Sequence, residues 1–236
     1  MRPAFAFAFL MLSLMVDEYD VRYSWGRLDT RVATAAISWQ DTLYDKVPAC
    51  HATAVVRTTP IFHLFLGSDY YAEIYFNRGD HSPLYFINPF TSNGKDCKHE
   101  CVYRTDKGII EATSIRSKGE PEHKTFPLDG RTMDLFTLMP FVRFLDLQPA
   151  DEPLHIQVLI ASKPYPAEIR NEGPDNDKFP DTPAERFLIL MTEHGLMENG
   201  SGNEIHLWRS AAPDHRLLAL ETDLSVGSMS VRLRGL

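Results

Sequence analysis

The chain of 236 residues is 44% apolar and 24% charged and carries a formal charge of −8, the profile of an ordinary soluble globular protein. A chain of this length buries roughly 70–75% of the surface its unfolded form exposes, so it needs no disulfide or metal staple to fold. The acidic balance argues against nucleic acid, which calls for clustered Lys and Arg; the richest basic stretches, Lys95 to Arg104 and Arg116 to Lys124, are interleaved with acids and read as solvated faces.

Met1-Arg2-Pro3 gives a short positive start, and Ala4 to Val16 is uncharged, with Phe5, Phe7, Phe9, Leu10, Met11, Leu12 and Leu14. This run is too short to cross a bilayer as a helix, so no transmembrane span is expected. Residues 1–16 fit the apolar core of a secretory signal, which leaves 17–236 as a single β-rich domain. No A-x-A-like cleavage site follows, and an N-terminal strand or a misplaced start are the competing readings.

From Tyr19 the pattern has period two. Tyr19, Val21, Tyr23 and Trp25 share one face of a strand, and Ala33, Ala35, Ile37 and Trp39 share one face of the next. Ala49 to Thr58 is a third strand, and this succession predicts an antiparallel meander. Pro60 to Gly67 is a short apolar run with His63 as a boundary histidine. Asp69 to Asn77 places Tyr71, Glu73 and Tyr75 opposite Tyr70, Ala72, Ile74 and Phe76, which suits one face in the core and one lining a groove. Short strands follow over 84–88, 97–105, 109–115 and 123–128, with Asn93-Gly94, Asp106 to Gly108 and Lys118-Gly119 at hairpin positions.

Thr132 to Leu147 breaks the rhythm and reads as helix, apolar almost all round, so the surrounding sheet must cover it. Thr132 is the expected N-cap and Asp134 the first-turn acid. Pro140 removes a backbone donor and crowds the carbonyl of Phe136, which predicts a kink or two short helices meeting at Met139-Pro140. Arg143 stands alone among Phe141, Val142, Phe144 and Leu145. A cation there is expected to sit in a structural ion pair or to reach the surface; the functional reading is an anion-binding group at the mouth of a cavity. Strands resume over 154–161, 165–171, 185–192, 204–210, 216–223 and 228–234. The polar stretch Glu172 to Pro183 is expected to be a mobile surface loop rather than a calcium site, because Phe179 and Pro180 occupy ligand and glycine positions. Asn199 to Asn203 reads as a hairpin turn.

Cys50, Cys97 and Cys101 cannot all pair. In a strand, Cys97 and Cys101 share a face but lie about 13 Å apart, too far for one disulfide or one zinc. They are expected to be buried thiols, with Cys50 pairing to one of them left open in an oxidising compartment. No nucleophile elbow, metalloprotease helix, phosphate loop or dinucleotide glycine pattern occurs. No catalytic residue, metal or cofactor is assigned, and the protein is expected not to be an enzyme.

Several stretches in a fixed order carry a resemblance: Tyr23-Ser-Trp-Gly26, Met133-Asp-Leu-Phe-Thr-Leu running to Phe141-Val-Arg143, Leu207-Trp208-x-Ser210 with Asp214 and Arg216, and Val226-Gly227-Ser228 before Val231 and Leu233. From about Tyr19 to the end the chain resembles an exported bacterial family labelled domain of unknown function 3108. The resemblance implies an exported protein of Gram-negative bacteria, periplasmic or outer-membrane-associated. It implies a mainly β fold, a curved antiparallel sheet or half-barrel enclosing one helix, with no established activity. Pro140, Leu217-Leu218 where a proline would be usual, and the 172–183 loop depart from the pattern.

Two functions follow as expectations. The first is a non-enzymatic carrier of a lipid or other hydrophobic molecule, lined by Trp25, Trp39, Tyr70, Tyr75 and Phe76, with Arg143 near an anionic head group. The second is an envelope structural or assembly protein that recruits a protein partner through edge strands or the loop. A hydrolase without a local motif ranks third.

Overall fold

Alternating apolar and polar residues leave a strand one face to bury, and most of this chain follows that rule. The computed structural model describes residues 15–60, 69–92, 95–116, 119–128, 131–160, 163–191 and 203–236. Most of the expected secretory segment, His63 with the rest of 61–67, Asn93-Gly94, Lys118 and residues 199–202 of the expected turn lie outside them. Met15 and Val16 already belong to the first strand, opposite Trp39 and Ser38.

The strands are β1 (Met15–Trp25), β2 (Leu28–Tyr44), β3 (Val47–Thr58), β4 (Tyr70–Asn77), β5 (Pro83–Ser92), β6 (Lys95–Arg104), β7 (Ile109–Ile115) and β8 (Glu122–Pro127) in the first half. The second half holds β9 (Thr132–Asp134), helix α1 (Leu135–Phe144), β10 (Leu154–Ile160), β11 (Lys163–Pro174), β12 (Ala184–Met191), β13 (Glu204–Ser210), β14 (Leu217–Asp223) and β15 (Ser228–Leu233). All of these strands join one open sheet, in the order β8-β7-β6-β5-β4-β3-β2-β1-β15-β14-β13-β12-β11-β10-β9. Two antiparallel meanders therefore meet where β1 pairs with β15, with Tyr19 opposite Leu233.

The two ends of that order are consecutive in sequence. β8 ends at Pro127 and β9 begins at Thr132, a gap the backbone spans in at most about 18 Å. Laid flat, the 15 strands would be roughly 67 Å across at the usual strand spacing. The sheet must curl until its ends nearly meet. Tyr103 on β6 fixes the approach: its hydroxyl donates to Asp134 Oδ2 and accepts from the Asp134 backbone N–H, both at 3.1 Å.

β9, where the sequence pattern predicts the first turn of a helix, is instead a strand, parallel to β10, with Thr132 opposite Gln157 and Asp134 opposite Leu159. Parallel neighbours need a crossover, and α1 is that crossover. The helix is therefore shorter than expected, and its N-cap is Asp134, not Thr132. Asp134 Oδ1 accepts the Thr137 N–H at 2.9 Å, and Asp134 Oδ2 accepts the Thr137 hydroxyl. Two short helices meeting at Met139-Pro140 are not found: one helix runs through Pro140. A proline there costs the single bond to the Phe136 carbonyl, and side-chain anchors at both ends hold the remainder.

Leu138 and Val142 of α1 are fully buried in a core built mainly on β10–β14, with Tyr19, Ile169, Phe187, Ile205 and Leu207. A second core lies on β2–β7, with Trp39, Ala52, Ala72, Ile74, Phe76, Phe86 and Ile110; Leu159 and Phe144 reach into it from the other half. The stretch after β11 is not the mobile loop expected. Phe179 is buried and meets Trp208 edge-on at 6.5 Å, and the indole Nε1–H donates to Asp175 Oδ2 at 2.8 Å. An aromatic ring in a polar loop is worth more buried than exposed, and the outer face of β13 supplies the cover.

Candidate functional site

Three charged residues stand in phase with the apolar face of their elements. Asp17 alternates with Tyr19 and Val21 on β1, Arg209 follows Ile205 and Leu207 on β13, and Arg143 lies on the helix; all are nearly fully buried. Buried charge is tolerated only when it is paired, and each of these is.

Arg209 closes the helix. Its Nη1 donates to the carbonyls of Val142, Arg143 and Leu145 at 3.1, 3.2 and 2.7 Å, while Nε and Nη2 hold Glu185 Oε2 at 3.0 and 2.8 Å. A cation at a helix C-terminus answers both the unpaired carbonyls and the dipole. Asp134 does the opposite duty at the N-terminus.

Arg143, in the same last turn of the helix, forms the centre of a second cluster. Its Nη1 donates to Asp17 Oδ2 at 3.3 Å, and Nε and Nη2 donate to the Asp214 carbonyl at 3.2 and 3.0 Å. Asp17 Oδ1 accepts from Arg216 Nε and Nη2 at 2.9 and 2.7 Å. The guanidinium carbon of Arg143 lies 4.6 Å from the centre of the Trp39 ring, which stabilises the charge by cation–π attraction. Phe144 meets Trp39 edge-on at 6.0 Å and stacks on His81 at 4.3 Å; burial pushes the His81 imidazole below its ordinary range. Cys50 lies close enough to feel Arg143, but burial and then Asp41 push its thiol upward, away from the thiolate form. Among the described residues, the Trp39 Nε1 and His215 Nδ1 atoms are buried without a hydrogen-bond partner.

Of the residues expected to line a ligand site, the structure brings together Arg143 and Trp39 and places Phe76 in the same core as Trp39. The others are elsewhere. Trp25 pairs with Leu28 at the hairpin end of β1, whereas Trp39 pairs with Met15 at the opposite end, about 33 Å away along the strand; Trp25 is 61% exposed. Tyr70, also exposed, begins β4 far from Phe76. Tyr75 points to the outer face, stacked on His51 at 4.4 Å and touching Tyr44 and Tyr85 at 5.1 and 6.0 Å. On that face Tyr71 donates to Glu73 at 2.6 Å and Tyr85 to Glu100 at 2.7 Å; burial and the Glu73 contact push the Tyr71 hydroxyl up to about 12. Asp17 and Arg209 were not singled out from sequence, although a charge in phase with an apolar face was the available signal. All three cysteines are thiols, with Cys97 and Cys101 both buried in β6.

A family profile described as "Protein of unknown function (DUF3108)" matches residues 18–234. The chain belongs to this family. The stretches on which the resemblance rests fasten the helix and join the two halves of the sheet: Asp134, Arg143, Asp214 and Arg216 are in the clusters above, and Tyr23 donates to the Val226 carbonyl at 2.8 Å. Comparison with curated proteins finds no match. Among solved structures, this DUF3108 chain is similar to a β-barrel-like protein of domain of unknown function DUF1849 from Brucella abortus, with a TM-score of 0.56 and 12% identity over 94% of this chain and 96% of that one. At that identity the likeness speaks for the fold alone.

Proposed function

We propose that this is an exported, non-enzymatic protein of the Gram-negative envelope, periplasmic or outer-membrane-associated, whose curved sheet forms a half-barrel around α1 and carries a lipid or other hydrophobic molecule. One observation carries the reading. The inner wall of β2–β7 is floored with Ala52, Ala72 and Ala112 beside Trp39, Phe76 and Phe86, and is rimmed by half-buried Ile37, Ala54, Phe126, Leu128 and Phe144. The half-buried rim is apolar surface left for a hydrophobic guest to cover. At the Trp39 end this wall meets the Arg143 cluster. Native mass spectrometry of the gently purified chain tests the proposal: a co-purifying apolar mass, or uptake of added lipid, is expected. A bare mass with no uptake refutes it.

The outer face favours a second reading, an assembly protein with a protein partner. Tyr44, His51, Tyr75 and Tyr85 form a half-exposed aromatic cluster, and such rings are enriched where proteins meet. Tyr75→Ser with Tyr85→Ser is expected to abolish co-purification of that partner while leaving the fold and any lipid in place. An unchanged set of co-purifying proteins would rule this reading out.

A further inference from the structure

The cluster around Asp17 is unbalanced. Two guanidinium groups, Arg143 and Arg216, share one carboxylate. The neighbouring acids do not correct the excess: Asp214 contributes its carbonyl to Arg143, its side chain lying in an exposed residue, and Asp41 is held by Arg78 at 3.0 Å. Donors are in surplus as well. Each guanidinium has five N–H groups; among the described residues, the bonds to Asp17 and Asp214 leave one hydrogen each on Arg143 Nη1 and Nη2, one on Arg216 Nη2 and both on Arg216 Nη1 without a protein acceptor. Trp39 is only 6% exposed, and among the described residues its Nε1–H has no acceptor either. A buried indole N–H ordinarily finds a partner. Five donor atoms and one net positive charge, set where Arg216 is 38% exposed to solvent, are the complement of a single oxyanion.

We propose that Arg143, Arg216 and the Trp39 indole form a seat for the head of an amphipathic monoanion, a carboxylate or singly charged phosphate ester, with its apolar chain lying along Ile37, Ala54 and Phe144. The inference rests on the carrier reading and narrows it to acidic ligands. Both arginines stay paired with Asp17, and the incoming anion supplies the acceptor that Trp39 lacks and the second negative charge that one carboxylate cannot give to two guanidinium groups. The buried Arg143 holds the seat rigid, and Arg216 is its movable, solvent-facing arm.

Titration calorimetry on the full chain tests this with dodecanoate, dodecanol, acetate and inorganic phosphate, against the wild type, Arg216→Gln and Trp39→Phe. Dodecanoate is expected to bind about tenfold or more tighter than dodecanol, the worth of one charge-assisted hydrogen bond. Arg216→Gln and Trp39→Phe are each expected to lose about that factor for dodecanoate and none for dodecanol. Urea midpoints confirm that the variants fold, and Arg216, being partly exposed, is the one expected to tolerate substitution. If dodecanoate and dodecanol bind alike and Arg216→Gln changes neither, the seat is wrong while the carrier reading survives. If neither binds, the carrier reading fails and takes the seat with it. Acetate or phosphate binding as tightly as dodecanoate overturns the amphipathic ligand in favour of a free anion.

Discussion

Replacing Arg209 by Met should show that the helix is held by its C-terminal end. The substitution keeps the length of the side chain and removes five hydrogen bonds. The Val142 carbonyl retains the Leu145 N–H at 3.3 Å and loses least. The carbonyls of Arg143 and Leu145 lose a partner in a water-poor site, at about 1–3 kcal/mol each. The lost cation at the helix terminus adds about 0.3–1 kcal/mol. Glu185, with 28% of its side chain exposed, can turn to water and adds little. The sum is about 3–5 kcal/mol, the range found when one member of a buried ion pair is removed. With a urea slope of about 2–3 kcal/mol/M, the unfolding midpoint should fall by about 1.5 M. Arg209→Lys restores the charge but not the fork, so it should recover only part of the loss. A fall in stability below about 1 kcal/mol for Arg209→Met, or a lysine variant equal to wild type, would refute the reasoning.

The other expectations are simpler to state. Gly227 has φ +76°, and a Cβ there would overlap the Ser24 carbonyl oxygen, so Gly227→Ala should destabilise by at least about 2 kcal/mol, read as a lower thermal midpoint; an unchanged midpoint would show that β1 and the β14–β15 hairpin are not in close contact. Asp134→Ala removes the N-cap and leaves the buried Tyr103 hydroxyl without its acceptor, and should cost about 2–3 kcal/mol in urea unfolding, more than a surface cap would. Phe179→Ala should cost about 3 kcal/mol and shift Trp208 emission to the red; unchanged emission would mean that the 175–183 stretch does not cover the indole. Burial lowers the folded-state pKa of His81 and of His99, for which Arg116 adds to the effect. Both therefore bind protons more readily when unfolded, so their contribution is fully present above the ordinary imidazole value of 6.5 and is lost progressively as pH falls below it. A stability profile flat from pH 7.5 to about 5.5 would contradict this sign.

Much of the architecture is written in local pattern. The alternation of Tyr70, Ala72, Ile74 and Phe76 against Tyr71, Glu73 and Tyr75 decides which face of β4 is buried, whatever its neighbours, because side chains on a strand alternate. The bounds of β7 and β13 and the antiparallel meander were legible in the same way, whereas the family showed in a resemblance carried by motif stretches in a fixed order. Thr132 to Asp134 was not, since three residues that can open a helix can equally pair with β10, and only the position of Gln157 to Leu159 decides between them. Trp25 and Trp39 illustrate the same limit: phase placed both on the inner face, but the hairpin register puts them at opposite ends of β1. The pairings of Asp17 with Arg143 and Arg216, 126 and 199 residues apart, depend on the curl of the whole sheet. Sequence by itself determined that these charges fall in apolar phase and so must find partners; which partners they find, and that among the described residues the Trp39 indole N–H has no acceptor, was decided by tertiary structure, because ion pairs and hydrogen bonds of side chains form across space and not along the chain.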